Sequence, residues 1–268
     1  PAPPPVRRPL CGPCAVPVRT AWIAWESFGK CECRKLLGAT VEIKWEVEKR
    51  RSPTEVVMRL HNPDRVWFVT NRCPQERLLL LPKPAVNRLI GAWLAKSLAE
   101  HGDAIELYAF TFLSNHFHLL LRDPAGQLPE FMWYFQVNLA KSVNELLGRR
   151  GQFFSREYDA AAVLTDEDFD ALYAYVTTNA VKAGRRSRAR GGPFFTSLEL
   201  ALEEGTQEFA WVDRTRRHQR SRRGQAVSAA EVTRRYALRL SIPARWRGWT
   251  KARRRRWVEG LGGANEEG

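Results

Sequence analysis

The sequence lacks any apolar run long enough to cross a membrane as a helix, which takes about 20 residues. It also lacks the short apolar segment behind a positively charged start that is typical of a secretory signal peptide. We therefore expect no membrane association and no secretion. Acidic residues are scarce relative to basic ones. The sequence has 29 Asp and Glu and 43 Lys and Arg, which gives a formal charge of +14. Such a basic balance favours nucleic acid as the partner and predicts a cytoplasmic, nucleoid-associated protein.

Cysteine is also scarce, with five in 268 residues. Cys11 and Cys14, together with Cys31 and Cys33, could offer four thiolates to zinc. The spacing of the second pair is not that of a standard zinc knuckle, however. We therefore favour free thiols in a reducing compartment over a zinc site.

Composition divides the chain into three segments. Residues 1–62 are poorly patterned, and residues 1–20 contain seven prolines and are predicted to be disordered. Residues 63–184 show clear strand and helix patterns. Residues 185–268 form an arginine-rich C-terminal extension with 20 Lys and Arg and 9 Asp and Glu, which is +11 of the total charge. The extension could be a solubilising tail or a nucleic-acid-binding surface, and its candidate binding residues are Arg216, Arg217, Arg220, Arg222, Arg223, Arg253, Arg254, Arg255 and Arg256.

Hydrophobic periodicity in residues 63–184 alternates between strand and helix. Helical spacing of apolar residues follows Pro84 and recurs between Leu128 and Leu147. Strands are predicted at 66–70, 105–113, 116–121 and 160–164, and a capping box at Thr165 begins a further helix. This order predicts an α+β fold of the ferredoxin-like type, in which helices cover one face of a four-stranded antiparallel sheet.

Two histidines separated by one apolar residue are the most informative feature of the sequence. Alternate side chains of a strand share a face, so His116 and His118 should project together while Phe117 packs on the other side. Two neutral imidazoles on one face form half of a metal site. We expect both to lie at the mouth of that site, where their loss would leave the fold largely intact.

A second candidate element is the helix that contains Tyr175 and Asn179. These residues are four positions apart, so they share one face of a helix, and we expect that face to pass over the histidines. A phenol, an amide and a histidine pair are the components of a nuclease that attacks DNA with tyrosine. Tyr134 and Tyr173 are competing candidates for the nucleophile, and Trp133 is a candidate for base stacking.

Both segments resemble motifs of a known family. Residues 114–121 resemble the histidine–hydrophobic–histidine (HUH) motif of the single-tyrosine transposases. Residues 175–184 resemble the tyrosine helix of the REP-associated branch, which usually reads Tyr-Ile-x-x-Asn-Pro-Val-x-Ala-Gly. The chain departs from that pattern at Ala180, where the family normally has a proline, but the change removes no catalytic group. The likeness runs from about Val66 to Gly184.

This resemblance implies a DNA strand cleavage and rejoining enzyme with the ferredoxin-like fold. Its implied substrate is single-stranded DNA from repeats that fold into hairpins, cut through a 5′-phosphotyrosine on Tyr175. His116, His118 and Asn179 would bind Mg²⁺ or Mn²⁺, and on ligand softness alone Mn²⁺ fits slightly better. Lys182, on the next turn, could assist ionisation of the phenol.

Two non-catalytic alternatives stay open at this point. One is a decayed or domesticated relative that binds hairpin DNA without cutting it. The other is an RNA-binding protein that acts through its basic extension. The sequence also leaves open whether the protein is a monomer or a homodimer.

Overall fold

The structure is a computed structural model that describes residues 62–155, 157–182, 193–226 and 228–263. The predicted disorder of residues 1–20 and the cysteine cluster of Cys11, Cys14, Cys31 and Cys33 lie outside these ranges. Within them, no helix is long and apolar enough to span a membrane.

A five-stranded antiparallel sheet forms the centre of the fold, in the order β4-β1-β3-β2-β5. The first four strands have the strand order of a ferredoxin-like domain, so the predicted α+β class is confirmed. The fifth, β5, comes from the C-terminal extension and pairs with β2. The elements are β1 (Val66–Arg72), α1 (Pro84–His101), β2 (Glu106–Phe112), β3 (His116–Arg122), α2 (Leu128–Leu146), β4 (Asp159–Val163), α3 (Asp166–Lys182) and β5 (Phe195–Thr196).

Local sequence explains where the helices begin and end. Pro84 occupies the first turn of α1, where its missing N–H costs nothing, and Gly102 ends the helix with a φ of 53°. At the start of α2, the Asp123 carboxylate accepts the backbone N–H groups of Gln127 and Leu128 at 2.8 and 3.0 Å. Thr165 accepts the N–H of Asp168 at 3.1 Å, which confirms the predicted cap of α3.

Helices α1 and α2 cover one face of the sheet, and α3 contacts the other, so the predicted placement of the helices on one face holds for α1 and α2 and is wrong for α3. Phe117 on β3 is buried with Phe135 of α2, with ring centroids 6.0 Å apart. The indole of Trp93 on α1 donates to Ser142 of α2 at 2.8 Å. The opposite face of β3 carries His118, whose ring contacts that of Tyr175 on α3. This arrangement gives the sheet an apolar side and a side with polar groups.

The described part of the C-terminal extension packs onto this domain. It contains α4 (Leu198–Glu203), β6 (Gln207–Val212), α5 (Arg214–Arg222), α6 (Ala229–Val232), β7 (Thr233–Leu238) and α7 (Lys251–Gly263). Strands β6 and β7 pair antiparallel and are connected through α5 and α6, and this pair is called the β6–β7 hairpin. It buries Phe209 and Leu238 in the same core as α1 and α2. The described residues all belong to one compact unit, and the predicted boundary at 184/185 falls among residues outside the described ranges.

Lys96 fixes the hairpin to the helices. Its side chain is only 8% exposed, and its ammonium donates to the phenol oxygen of Tyr134 at 2.8 Å and pairs with Glu100. The same ammonium lies 4.7 Å from the ring centroid of Trp211 and 5.4 Å from that of Tyr236. Burial opposes the charge, but the hydrogen bonds to Glu100 and Tyr134 raise the pKa of Lys96, so it stays protonated.

Candidate active site

A row of polar side chains crosses the α3 face of the sheet. His118 lies directly opposite Thr70 on β1 and Thr111 on β2. The row continues to Asp159 on β4 and Thr196 on β5. Because directly opposed residues of an antiparallel sheet share a face, all five side chains leave the sheet on one side. The row forms a polar floor below α3.

His118 lies at the centre of this floor and is buried. Its ring stacks on Phe68, with centroids 5.2 Å apart, and contacts the ring of His116 at 5.0 Å. Both ring nitrogens are buried without a hydrogen-bond partner among the described residues. The expectation that both histidines lie at the mouth of the site is therefore wrong for His118, since Phe68 and Tyr175 cover it.

His116 is more accessible than His118. It begins β3, is half-buried, and its Nδ1 lies 2.7 Å from Oδ1 of Asn115. That contact orients the His116 ring through Nδ1. Imidazoles that bind a metal through one ring nitrogen are usually held by a hydrogen bond at the other nitrogen. His116 therefore combines a fixed ring with partial solvent access.

Helix α3 brings Tyr175 to His118. The Tyr175 ring lies edge-on to His118, with centroids 5.4 Å apart, and edge-on to Phe68 at 6.2 Å. Asn179 lies one turn further along the same helix and is buried. The hydroxyl groups of Thr177 and Thr178 hydrogen-bond to backbone oxygens of the preceding turn and are thereby satisfied within the helix.

The competing tyrosines have other roles. Tyr173 is buried on α3 against Trp246, with ring centroids 4.8 Å apart, and burial raises the pKa of its phenol. Tyr134 lies on α2, across the sheet, and accepts the hydrogen bond from Lys96. Trp133 is 66% exposed, but it also lies on α2, so it is not on the histidine side of the sheet.

Burial determines the charge state of His118. Burial, and then the neighbouring His116, lower the pKa of His118 well below its ordinary value. His118 is therefore neutral at pH 7, with one ring nitrogen unprotonated. Among the described residues, no three His, Cys, Asp or Glu side chains lie together as a metal site. The side chains on this part of the sheet and helix that could bind a divalent cation are the two imidazoles and the Asn179 amide, a mixed nitrogen and oxygen set.

Lys182 is the last residue of α3, and its side chain lies outside what the structure describes. Its assisting role stays a prediction.

The nine candidate arginines fall into two groups. Those of α5 and its end are mostly exposed, and α5 buries none of its residues. Arg220 is an exception, because it pairs with Glu231. In α7, Arg254 is bound inside the protein by Glu204 at 2.5 and 3.0 Å, whereas Arg255 pairs with Glu259 and Arg253 covers the ring of Trp249 at 4.2 Å. The other exposed members are Arg216, Arg217, Arg222, Arg223 and Arg256.

Sequence reasoning missed several residues around the site. Phe68 looked like any apolar residue of a central strand, and only the three-dimensional structure shows it stacked on His118. Thr70, Thr111 and Asp159 are distant in sequence, and strand register brings them into one row. The alternation of polar residues within strands was a weak signal that could have pointed to Thr70 and Thr111.

No protein-family model matches the sequence, and no curated protein matches it. A solved structure of a REP-associated tyrosine transposase bound to a REP hairpin is similar over 55% of this chain and 85% of its own, with 16% identity and a TM-score of 0.46. A crystal structure of a candidate transposase from Deinococcus radiodurans R1 is similar over 44% and 93%, with 15% identity and a TM-score of 0.33. These values are too low to assign the chain to a family.

Proposed function

We propose that this protein is a metal-dependent endonuclease and strand transferase that acts on single-stranded, hairpin-forming DNA through Tyr175. One observation carries the proposal: the ring of the candidate nucleophile lies 5.4 Å from His118, which lies 5.0 Å from His116. A phenol beside two imidazoles, above a polar row of the sheet, is an arrangement suited to phosphodiester chemistry.

In the proposed reaction, the phenol oxygen of Tyr175 attacks the scissile phosphorus. The bond from phosphorus to the 3′ oxygen breaks, the 3′ oxygen leaves as a hydroxyl after taking up a proton, and the 5′ phosphate stays on the tyrosine. Attack by a 3′-hydroxyl from another strand reverses the step and rejoins DNA without ATP. An ordinary phenol has a pKa of about 10, so Tyr175 needs help to ionise, and Lys182 is the nearest basic residue in sequence.

The residues of the site fit a divalent cation such as Mg²⁺ or Mn²⁺. His118 offers a neutral, buried imidazole, His116 an oriented one, and Asn179 an amide oxygen. When bound, the cation would polarise the scissile phosphate and stabilise negative charge in the transition state.

Single-stranded DNA suits the site because Phe68 and Tyr175 cover His118. A complementary strand would hinder the approach of a phosphate to this histidine. The exposed arginines of α5 are suited to the phosphates of a hairpin stem, since they lie on a helix with no buried residue. Residues 185–268 contain +11 of the formal charge of +14, so the positive charge is concentrated outside the segment that contains Tyr175.

A cleavage assay tests the proposal. Labelled single-stranded hairpin DNA is incubated with the protein and Mn²⁺, and a denaturing gel is examined for a shortened strand and a protein–DNA adduct. We expect both products, and their loss when the metal is chelated. Binding without any cleavage would favour the decayed hairpin-binding protein, and preferential binding of RNA would favour the RNA-binding alternative.

A further inference from the structure

A second candidate site lies on the far side of the tyrosine helix. A cavity of about 250 Å³ is bounded by α3, α4, α7 and the segment after β7. Tyr173 and Trp246 supply aromatic walls, Thr206 and Ser241 line it with hydroxyl groups, and Arg239 lies at its edge. The volume is below the range of about 300–1,000 Å³ typical of drug-sized ligands and suits one planar heterocycle.

The aromatic wall extends to the protein surface. Trp246 contacts Tyr173 at 4.8 Å and Trp257 at 4.9 Å between ring centroids. Trp249 stacks on Trp246 with an angle of 17° between the rings, and Arg253 covers Trp249. Alternating aromatic rings and guanidinium groups are the usual surface against which unpaired bases stack.

One of the residues that line the cavity, Trp246, also has an unsatisfied donor. The indole nitrogen of Trp246 is buried, and it has no hydrogen-bond acceptor among the described residues. A buried donor without an acceptor costs free energy, so an acceptor supplied by a ligand would be favourable. Ring nitrogens and carbonyl oxygens of nucleobases are such acceptors.

The charge at the cavity favours an anion. Glu204 is the acidic residue in its wall, and Arg254 neutralises it through two hydrogen bonds. Arg239 is exposed and forms no ion pair with any described residue. The positive charge that no carboxylate balances is therefore the guanidinium group of Arg239 at the cavity edge, where it could bind a phosphate.

We propose that this cavity binds one unpaired nucleotide of a DNA strand, with the base against the aromatic wall of Tyr173 and Trp246 and the phosphate on Arg239. The proposal deepens the proposed function and rests on it, because DNA is the expected substrate. Tyr173 lies two residues before Tyr175 on α3, so a nucleotide held here would rest against the helix that carries the nucleophile.

Binding of a short oligonucleotide tests the cavity separately from catalysis. The full chain with Tyr175→Phe is titrated with a single-stranded trinucleotide whose central base is fluorescent 2-aminopurine, which is quenched when it stacks. We expect Arg239→Gln to weaken binding about tenfold, the size expected for one lost charged hydrogen bond. Arg234→Gln is the matched control, because Arg234 is an exposed arginine of β7 that does not line the cavity.

A competitor with an abasic central nucleotide tests recognition of the base. We expect it to displace the fluorescent probe poorly, although it carries the same phosphates. Trp246→Phe, which keeps a ring but removes the N–H, should weaken probe binding while thermal unfolding shows that it is folded. Equal losses in Arg239→Gln and Arg234→Gln, or full competition by the abasic strand, would overturn the proposal. Failure of hairpin cleavage with intact trinucleotide binding would instead refute the nuclease function.

Discussion

The ring of Tyr175 lies edge-on against the buried ring of His118, with 64° between the ring planes. The contact joins a helix on one side of the sheet to the central strand, and it places a phenol next to a neutral imidazole. The same contact shields His118 from solvent. The candidate nucleophile therefore also contributes to the packing around His118.

The first prediction concerns the nucleophile. Tyr175→Phe should abolish cleavage and the covalent adduct while DNA binding persists, because the change removes only the attacking oxygen. A denaturing gel measures the adduct, and a filter-binding assay measures affinity. Tyr173→Phe is the matched control on the same helix, and it should retain cleavage because it removes only the phenol oxygen and keeps the ring that packs against Trp246. Adduct formation by Tyr175→Phe would exclude this residue as the nucleophile.

The second prediction separates the two histidines. His116→Ala and His118→Ala should both lose cleavage with Mn²⁺, since each removes a ligand. His118→Ala should also lower the free energy of unfolding by about 2–3 kcal/mol, because it leaves a cavity between Phe68 and Tyr175. His116→Ala should lower the free energy of unfolding by less, since His116 is only half-buried. Urea unfolding of the two variants checks this order, and equal midpoints would contradict the buried position of His118.

The third prediction concerns the exposed arginines of α5 and its end. Deletion of residues 185–268 would remove β5 and the buried Phe209, so it would damage the fold as well as DNA binding. Replacement of Arg216, Arg217, Arg222 and Arg223 by Gln keeps the fold and removes charge. Each lost phosphate contact should reduce the slope of log affinity against log salt by about 0.7–0.9.

Arg122→Gln is the control for that experiment. It removes one positive charge whose guanidinium is bound by Glu106 at 2.7 and 3.1 Å, so it should lower stability with little change in the slope. An unchanged slope of log affinity against log salt in the fourfold variant would mean that α5 does not contact DNA phosphates, even if the affinity itself changes.

The fourth prediction tests the docking of the β6–β7 hairpin on α1. An alanine at Gly91 would place its Cβ within 2.6 Å of Cδ1 of Phe209, which is too close. Gly→Ala at an exposed helix position raises the free energy of unfolding by about 1 kcal/mol. At Gly91 the steric overlap should instead lower the free energy of unfolding by about 1–3 kcal/mol. Thermal unfolding measures the effect. Phe209→Leu should partly relieve it, so the double variant should lose less than the sum of the two single losses.

The sequence by itself determined the fold class and the main catalytic candidates. Alternation in β3 places His116 and His118 on one face, and this depends only on the two-residue period of a strand. Helical spacing likewise gives Tyr175 and Asn179 a common face. The ferredoxin-like order of strands and helices followed from the same local periods, because periodicity and caps are encoded within short stretches of chain.

Tertiary structure decided what surrounds those candidates. Strand register aligned Thr70 and Thr111 with His118, and packing stacked Phe68 on its ring. Long-range packing also turned part of the arginine-rich extension into a fifth strand and a hairpin held by Lys96, and it bound Arg254 to Glu204. These relationships join residues far apart in the chain, and they depend on burial and strand pairing that no local pattern specifies.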